Sequence, residues 1–241
     1  MLRILLISLF LFVATHTSAQ QSGMDGAMQR YGLVNIADLD TTIRVELKYS
    51  TSDNFVGRDM YGDLDDAYFE AAFAQKVVMA QRALHARYPR YNLLIYDAAR
   101  PISVQRTMRR MVEGTTLEGF VADGSKGGRH NYGVAVDLTI VDDSGVPLDM
   151  GTEFDNLTTR AYVKGTPDSS DGSTRTLCVY RAYADWQVSQ GLITRQQADN
   201  RLLLIEVMLE AELYPYRREW WHFEELLPMN ETRQRYPLLD F

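Results

Sequence analysis

From Val134 to Val141 the chain is apolar except for Thr139 and one carboxylate, Asp137, set among Val134, Val136, Leu138 and Ile140. A stretch of this kind reads as a buried strand, and an unpaired carboxylate inside it would be costly. The fold must therefore bring something cationic to Asp137, a side chain or a metal ion. The nearest upstream candidate is His130, seven positions away, in His130-Asn131-Tyr132-Gly133-Val134-Ala135-Val136-Asp137. Seven is an odd separation, so an unbroken strand would point the two side chains to opposite faces. For both to reach one ion the chain must bend, and Gly133 is where it can, placing His130 on a loop and Asp137 in the strand.

A second cluster, Glu219-Trp220-Trp221-His222, supplies what the first lacks. His130, Asp137 and His222 together would offer zinc two imidazoles and a carboxylate, leaving a fourth tetrahedral position for water, as an open catalytic site requires. Glu219 would then act as general acid/base, with Trp220, Trp221 and Phe223 as dry walls. Two imidazoles argue against an oxygen-only metal. Arg100, at the end of an expected strand and fixed by Pro101, could stabilise an oxyanion. The same residues allow a plainer arrangement: a salt-bridged Asp137, a hydrogen-bonded His130, and Arg100 paired to Asp97. Read from the residues alone, the pattern points to a zinc hydrolase and does not name its substrate.

The remaining chain predicts one α+β domain over residues 20–241, strands and helices sharing a core. A strand is expected from Ile43 to Tyr49, a helix from Asp65 to Tyr88, a strand from Tyr91 to Tyr96, a helix from Pro101 to about Val112 and a strand from Val134 to Val141. A capping box at Thr194-x-x-Gln197 opens a helix to Glu212, and Arg218 to Phe223 is the last element before a tail. Lys164 to Arg175 is a polar excursion read as surface decoration. The 241 residues carry a formal charge of −7 with no basic stripe, which argues against nucleic acid as a partner. Cys178 is the only cysteine, so no intrachain disulfide can form, and it is expected to pack as a small hydrophobe. Arg3, the apolar run Ile4 to Ala14 and the small residues Thr17-Ser18-Ala19 predict a signal peptide over residues 1–19 and an exported mature chain beginning at Gln20, periplasmic or secreted and without a retained membrane anchor.

Five blocks, in order, resemble the D-alanyl-D-alanine dipeptidases, zinc peptidases of the group that includes the vancomycin-resistance dipeptidases. They are Leu47-Lys48-Tyr49-Ser50-Thr51-Ser52-Asp53-Asn54-Phe55-Val56-Gly57; Tyr96-Asp97-x-x-Arg100-Pro101; His130-x-x-Gly133-x-Ala135-x-Asp137-Leu138-Thr139; Met150-Gly151-Thr152-x-Phe154-Asp155; and Glu219-Trp220-Trp221-His222. The resemblance spans about Ile43 to Glu224. It implies one zinc on His130, Asp137 and His222, Glu219 as general acid/base and Arg100 at the oxyanion. It further implies that Tyr49 and Asp155 hold the free ammonium of a small D,D-dipeptide. The implied fold is a small antiparallel sheet flanked by helices, with the zinc on the sheet's open face.

Two features depart from the family pattern. Gly128 stands where the family often has a serine that helps hold the substrate, and the stretch between Asp155 and Thr194 is longer than the resemblance predicts. The expected activity is hydrolysis of D-Ala-D-Ala in the cell envelope. Two rival expectations are a D,D- or L,D-carboxypeptidase of longer wall peptides and a zinc-bearing binding protein without turnover.

Overall fold

The computed structural model describes residues 23–163 and 176–241. The expected signal peptide and the excursion from Lys164 to Arg175 lie outside the described residues. In chain order the elements are α1 (Met24–Arg30), β1 (Val34–Asn35), β2 (Arg44–Val45), β3 (Tyr68–Phe69), α2 (Ala71–Arg87), β4 (Asn92–Asp97), α3 (Ile102–Val112), β5 (Ala135–Val141), α4 (Leu177–Ser189), α5 (Arg195–Glu210), β6 (Tyr214–Pro215), β7 (His222–Glu224) and α6 (Met229–Arg235). Strands β1 and β3 form a small antiparallel pair. The main sheet has the order β2-β4-β5-β7-β6.

The chain is α+β, as expected, but the main sheet is not wholly antiparallel. β2 pairs with β4 in parallel, because α2 and the loop before it carry the chain back between them. The other pairs, β4 with β5, β5 with β7 and β6 with β7, are antiparallel.

All seven residues of β5 are buried, so both faces of the central strand are covered. One face presents Leu93, Ile95, Val136, Leu138, Ile140 and Phe223 to a continuous core shared with α2 and α5. The other carries Leu94, Tyr96 and Val141, which form a separate cluster against Phe154. Asp137 and its cross-strand partner His222 belong to that second face.

Several boundaries differ from expectation for local reasons. The expected strand from Ile43 is cut to two residues because Lys48–Ser50 turn into a 3-10 helix. α2 begins at Ala71, not Asp65: Glu70 caps it by accepting from the Ala72 and Phe73 amides, while Tyr68 and Phe69 are taken into the β1–β3 pair. α3 starts at Ile102, with Pro101 as its N-cap. Thr194 and Gln197 do form the capping box of α5. The stretch after Phe223, expected as a tail, contains α6, and α4 forms where the sequence predicts no helix. Cys178 is exposed on α4, correcting its expected packing as a small hydrophobe.

The bend required between His130 and Asp137 is present. Arg129–Tyr132 form a 3-10 turn, and Gly133 ends it at φ 71° before β5 begins. A Cβ there would lie 3.0 Å from Leu33 Cδ2 and 3.1 Å from the Glu70 backbone nitrogen. Gly133→Ala meets both a left-handed backbone and a crowded neighbour, so it should cost about 2 kcal/mol or more of stability. The denaturant midpoint checks this, with Gly128→Ala, at negative φ, as the control expected to change little.

Candidate active site

Asp97, Asp137 and His222 stand in one row across the sheet: Asp137 pairs with Asp97 of β4 on one side and with His222 of β7 on the other. A bulge between Ile95 and Asp97 turns the end of β4 so that Asp97 falls into this row. His130 reaches the row from its 3-10 turn. That turn is locked to the end of β4 by the Arg100 amide, which donates to the His130 carbonyl at 2.9 Å, and by Asn131 Nδ2, which donates to the Arg100 carbonyl at 2.8 Å.

Three ligand-type atoms converge here. His222 Nδ1 lies 2.9 Å from Asp137 Oδ1, His130 Nε2 lies 3.4 Å from the same oxygen, and the two nitrogens are 3.2 Å apart. A tetrahedral ion with bonds of about 2.0–2.1 Å separates its ligand atoms by about 3.3 Å, so this triangle has the size such an ion demands. The other ring nitrogens are also engaged. His130 Nδ1 sits 2.8 Å from the Ala98 carbonyl, and His222 Nε2 sits 3.2 Å from Glu224 Oε2. These contacts orient both rings with the remaining nitrogen toward the shared point. His130, Asp137 and His222 therefore constitute a possible metal site.

The electrostatics match. Burial would raise the Asp137 carboxyl, yet the imidazoles of His130 and His222 hold it well below the usual carboxylate range. Burial would lower His222, but hydrogen bonds to Asp137 and Glu224 push it up to about 10. The cluster thus stabilises positive charge at its centre.

Around the triangle lies a cavity of about 650 Å³ that Tyr49, Arg100, Asp155, Glu219 and Trp221 also line. Glu219 Oε2 is 3.9 Å from His222 Nδ1, and burial pushes its carboxyl up to about 7. Arg100 is paired to Asp97 as in the plainer arrangement, through Nη2 and through Nε at 3.1 Å, while Nη1 donates to Gln105 Oε1 at 2.8 Å. Pairing and site membership are compatible: burial opposes the guanidinium charge, but Asp97 more than restores it. The guanidinium lies 5.0 Å from the centre of the Tyr49 ring. The Tyr49 hydroxyl donates to Asp155, with its two carboxylate oxygens at 3.1 and 3.0 Å. Asp155 has φ 58°, one of two non-glycine residues described with positive φ. Burial, reinforced by Asp137, pushes its carboxyl well up. It is a half-buried acid with no close ion pair among the described residues; Arg100 acts on it only from a distance.

All seven residues singled out from the sequence (Tyr49, Arg100, His130, Asp137, Asp155, Glu219 and His222) line this one cavity. The expected dry walls are corrected in part. Trp221 is a wall and packs edge-on to Phe154, with ring centres 5.4 Å apart. Trp220 instead donates from Nε1 to Thr152 Oγ1 at 2.8 Å, and Phe223 is buried in the opposite face's core.

Sequence reasoning passed over Glu224, although it lies two residues beyond His222 on the same strand and so on the same side, and over Tyr61, whose hydroxyl donates to Asp97 from a loop. Glu224 links His222 to Arg129, whose Nη1 is 3.4 Å from Glu224 Oε2. Glu224→Gln should therefore weaken metal binding by roughly 10- to 100-fold, read by competition with a chelating dye. Unchanged affinity would show that Glu224 does not orient the ring.

Relatives bearing the name D-alanyl-D-alanine dipeptidase include one from Escherichia coli (strain K12), 29% identical over 209 residues that cover 86% of this chain and 89% of the relative. A second, from Enterococcus faecalis (strain ATCC 700802 / V583), is 27% identical over 202 residues, 76% of this chain and 85% of the relative. One from Synechocystis sp. (strain ATCC 27184 / PCC 6803 / Kazusa) is 27% identical over 169 residues, 57% of this chain and 60% of the relative. Residues 29–238, nearly the whole described chain, match the M15 peptidases described as D-ala-D-ala dipeptidase, and the protein belongs to that family.

Proposed function

We propose that the protein is an exported zinc peptidase that hydrolyses D-Ala-D-Ala in the cell envelope and so recovers alanine from wall-derived dipeptide. The observation that carries this reading is the Tyr49–Asp155 pair lining the same cavity as the His130–Asp137–His222 triangle. The substrate comes from the names of the relatives.

Zinc held by His130, Asp137 and His222 would supply a Lewis acid for the scissile carbonyl and lower the pKa of water at the site. Asp155 receives the substrate ammonium, oriented by the Tyr49 hydroxyl, and a peptide with an amide in place of the amine would leave that half-buried carboxylate unpaired. This is why a dipeptidase is favoured over a carboxypeptidase of long stem peptides. Glu219 takes a proton from the attacking water as the carbon–oxygen bond forms, then delivers it to the leaving nitrogen as the carbon–nitrogen bond breaks. Arg100, fixed by Asp97 and Gln105, faces the developing oxyanion with a guanidinium that has little freedom left to lose.

Two sets of variants test the assignment. Glu219→Gln should bind zinc as the parent does and lose about 10²–10⁴ in turnover, whereas His222→Ala should lose the metal as well; a Glu219→Gln protein with parental turnover would refute the mechanism. Asp155→Asn should raise KM for D-Ala-D-Ala by roughly 10- to 100-fold while discriminating less against an N-acetylated dipeptide. Preference of the parent for a longer stem peptide over D-Ala-D-Ala would transfer the reading to a carboxypeptidase. Export is tested by fractionation: protein confined to the cytosol with residues 1–19 intact would overturn it.

A further inference from the structure

Behind the cavity wall, Asp97 meets a residue that no step of the mechanism uses. Tyr61 is 1% exposed, stands outside the cavity lining, and donates its hydroxyl to Asp97 Oδ1. The other oxygen, Oδ2, accepts from Arg100, through Nη2 and through Nε at 3.1 Å, and lies 3.5 Å from His130 Nδ1. One carboxylate is thus divided, Oδ1 to Tyr61 and Oδ2 to Arg100. This division sets the pose of Arg100. Of the five N–H donors of a guanidinium, Asp97 Oδ2 takes two and Gln105 Oε1 takes one from Nη1 at 2.8 Å, which leaves one hydrogen on each terminal nitrogen. With both carboxylate oxygens open, the guanidinium would instead be drawn into a paired fork, Nε and Nη2 on separate oxygens. Turning into that fork would pull Nη1 off Gln105.

Tyr61 is itself held firmly by its loop. Asp59 Oδ1 accepts from the amides of Tyr61 at 3.0 Å and Gly62 at 2.7 Å, and the Tyr49 carbonyl accepts from the amides of Met60 at 2.7 Å and Tyr61 at 3.2 Å. The Tyr61 ring packs edge-on against Tyr49, with centres 6.0 Å apart. Burial and the charge of Asp97 push the hydroxyl well above its ordinary range, against the pull of Arg100, so it stays protonated and keeps donating. One residue therefore braces the backbone of Tyr49 and sets the hydrogen bonding of Asp97.

We propose that Tyr61 is a positioning residue for the hydrolysis: by occupying Asp97 Oδ1 it confines Arg100 to Oδ2 and keeps the guanidinium's two remaining hydrogens available to the oxyanion. This rests on the dipeptidase reading and deepens it. The hydroxyl acts through Asp97 and Arg100 and touches neither substrate nor metal. Removing it leaves a buried carboxylate oxygen short of a donor, and Arg100 is the donor nearest to hand. The ring contact and the amide bonds that brace Tyr49 survive in Tyr61→Phe, so the loss falls on the transition state and spares the ammonium end of the substrate.

The test compares the zinc-loaded mature parent with Tyr61→Phe, Arg100→Ala and the Tyr61→Phe/Arg100→Ala double variant. Turnover of D-Ala-D-Ala is counted per bound zinc, so that any loss of folded protein drops out. Tyr61→Phe should lower kcat by roughly 10- to 100-fold, short of the loss on deleting an oxyanion donor outright, with KM held within about twofold. Affinity for a phosphinate dipeptide analogue, whose tetrahedral anion stands in for the intermediate, should fall by the same factor as kcat/KM. In the Arg100→Ala background the same substitution should change phosphinate affinity by less than about twofold, because the residue it acts through is gone. Parental kcat and phosphinate affinity in Tyr61→Phe, or an equal loss of that affinity in both backgrounds, would overturn the proposal while leaving the dipeptidase reading intact. A parent that does not hydrolyse D-Ala-D-Ala overturns that reading, and this inference falls with it.

Discussion

Two buried carboxylates stand side by side in the middle of the sheet. Asp97 is 0% exposed and Asp137 4%, and they occupy directly opposed positions on β4 and β5. Like charges so placed repel across about 5 Å of low-dielectric interior, and neither can turn to water. Much of the local architecture answers this repulsion. Asp97 is satisfied by Arg100 and by the Tyr61 hydroxyl, and Asp137 by two imidazoles. The bulge in β4, the bend at Gly133 and the reach of β7 each bring one of those partners into place.

The opposite wall is built by a different device. The loop that carries Asp155 is held to α5 at both ends. Asn200 Nδ2 donates to the Asp149 carbonyl at 2.8 Å, Arg201 Nε to the Met150 carbonyl at 2.6 Å and Arg201 Nη1 to the Arg160 carbonyl at 2.9 Å. Arg201 is 2% exposed and makes no close ion pair among the described residues, Asp149 acting on it only from a distance, and burial lowers its guanidinium to about 10. A buried cation bonded to backbone carbonyls fixes the loop. Trp220 adds a hold on Thr152, and the loop's shape then keeps Asp155 in a left-handed backbone conformation that it would not choose alone.

How far the sequence carried the reading depended on whether the signal was local. Asp137 in an apolar run demanded compensation, and the odd spacing to His130 demanded a bend, so both were legible from residue type and period. The capping box at Thr194 was legible for the same reason. The Tyr49–Asp155 contact joins residues 106 apart, and no period or motif physics announces it; only the resemblance supplied it. The parallel pairing of β2 depends on where α2 lets the chain return, and α6 closes the cavity through tertiary contacts that a short polar helix does not advertise. Trp220 and Phe223 lie within two residues of His222 along the chain, yet strand alternation and the turn before β7 send them away from the cavity.

The cavity is an unfavourable place for its own side chains, and that is informative. Asp137, Asp155 and Glu219 are three acids around one space, and burial raises the last two while Asp137 raises them further. Arg100 offsets part of this but is committed to Asp97. A fold selected only for stability would replace at least one of these acids with an apolar residue. The arrangement becomes favourable when a cation fills the triangle and an ammonium reaches Asp155, so each positive charge that binds relieves repulsion felt by the other acids. On the proposed reading, a metal at the triangle and a substrate ammonium at Asp155 would be separate ligands acting, through Asp137 and Asp155, on one electrostatic deficit. On that reading, occupancy of either site would favour the charged form of the carboxylate that receives the other, and by linkage this effect on the carboxylates would run equally in both directions.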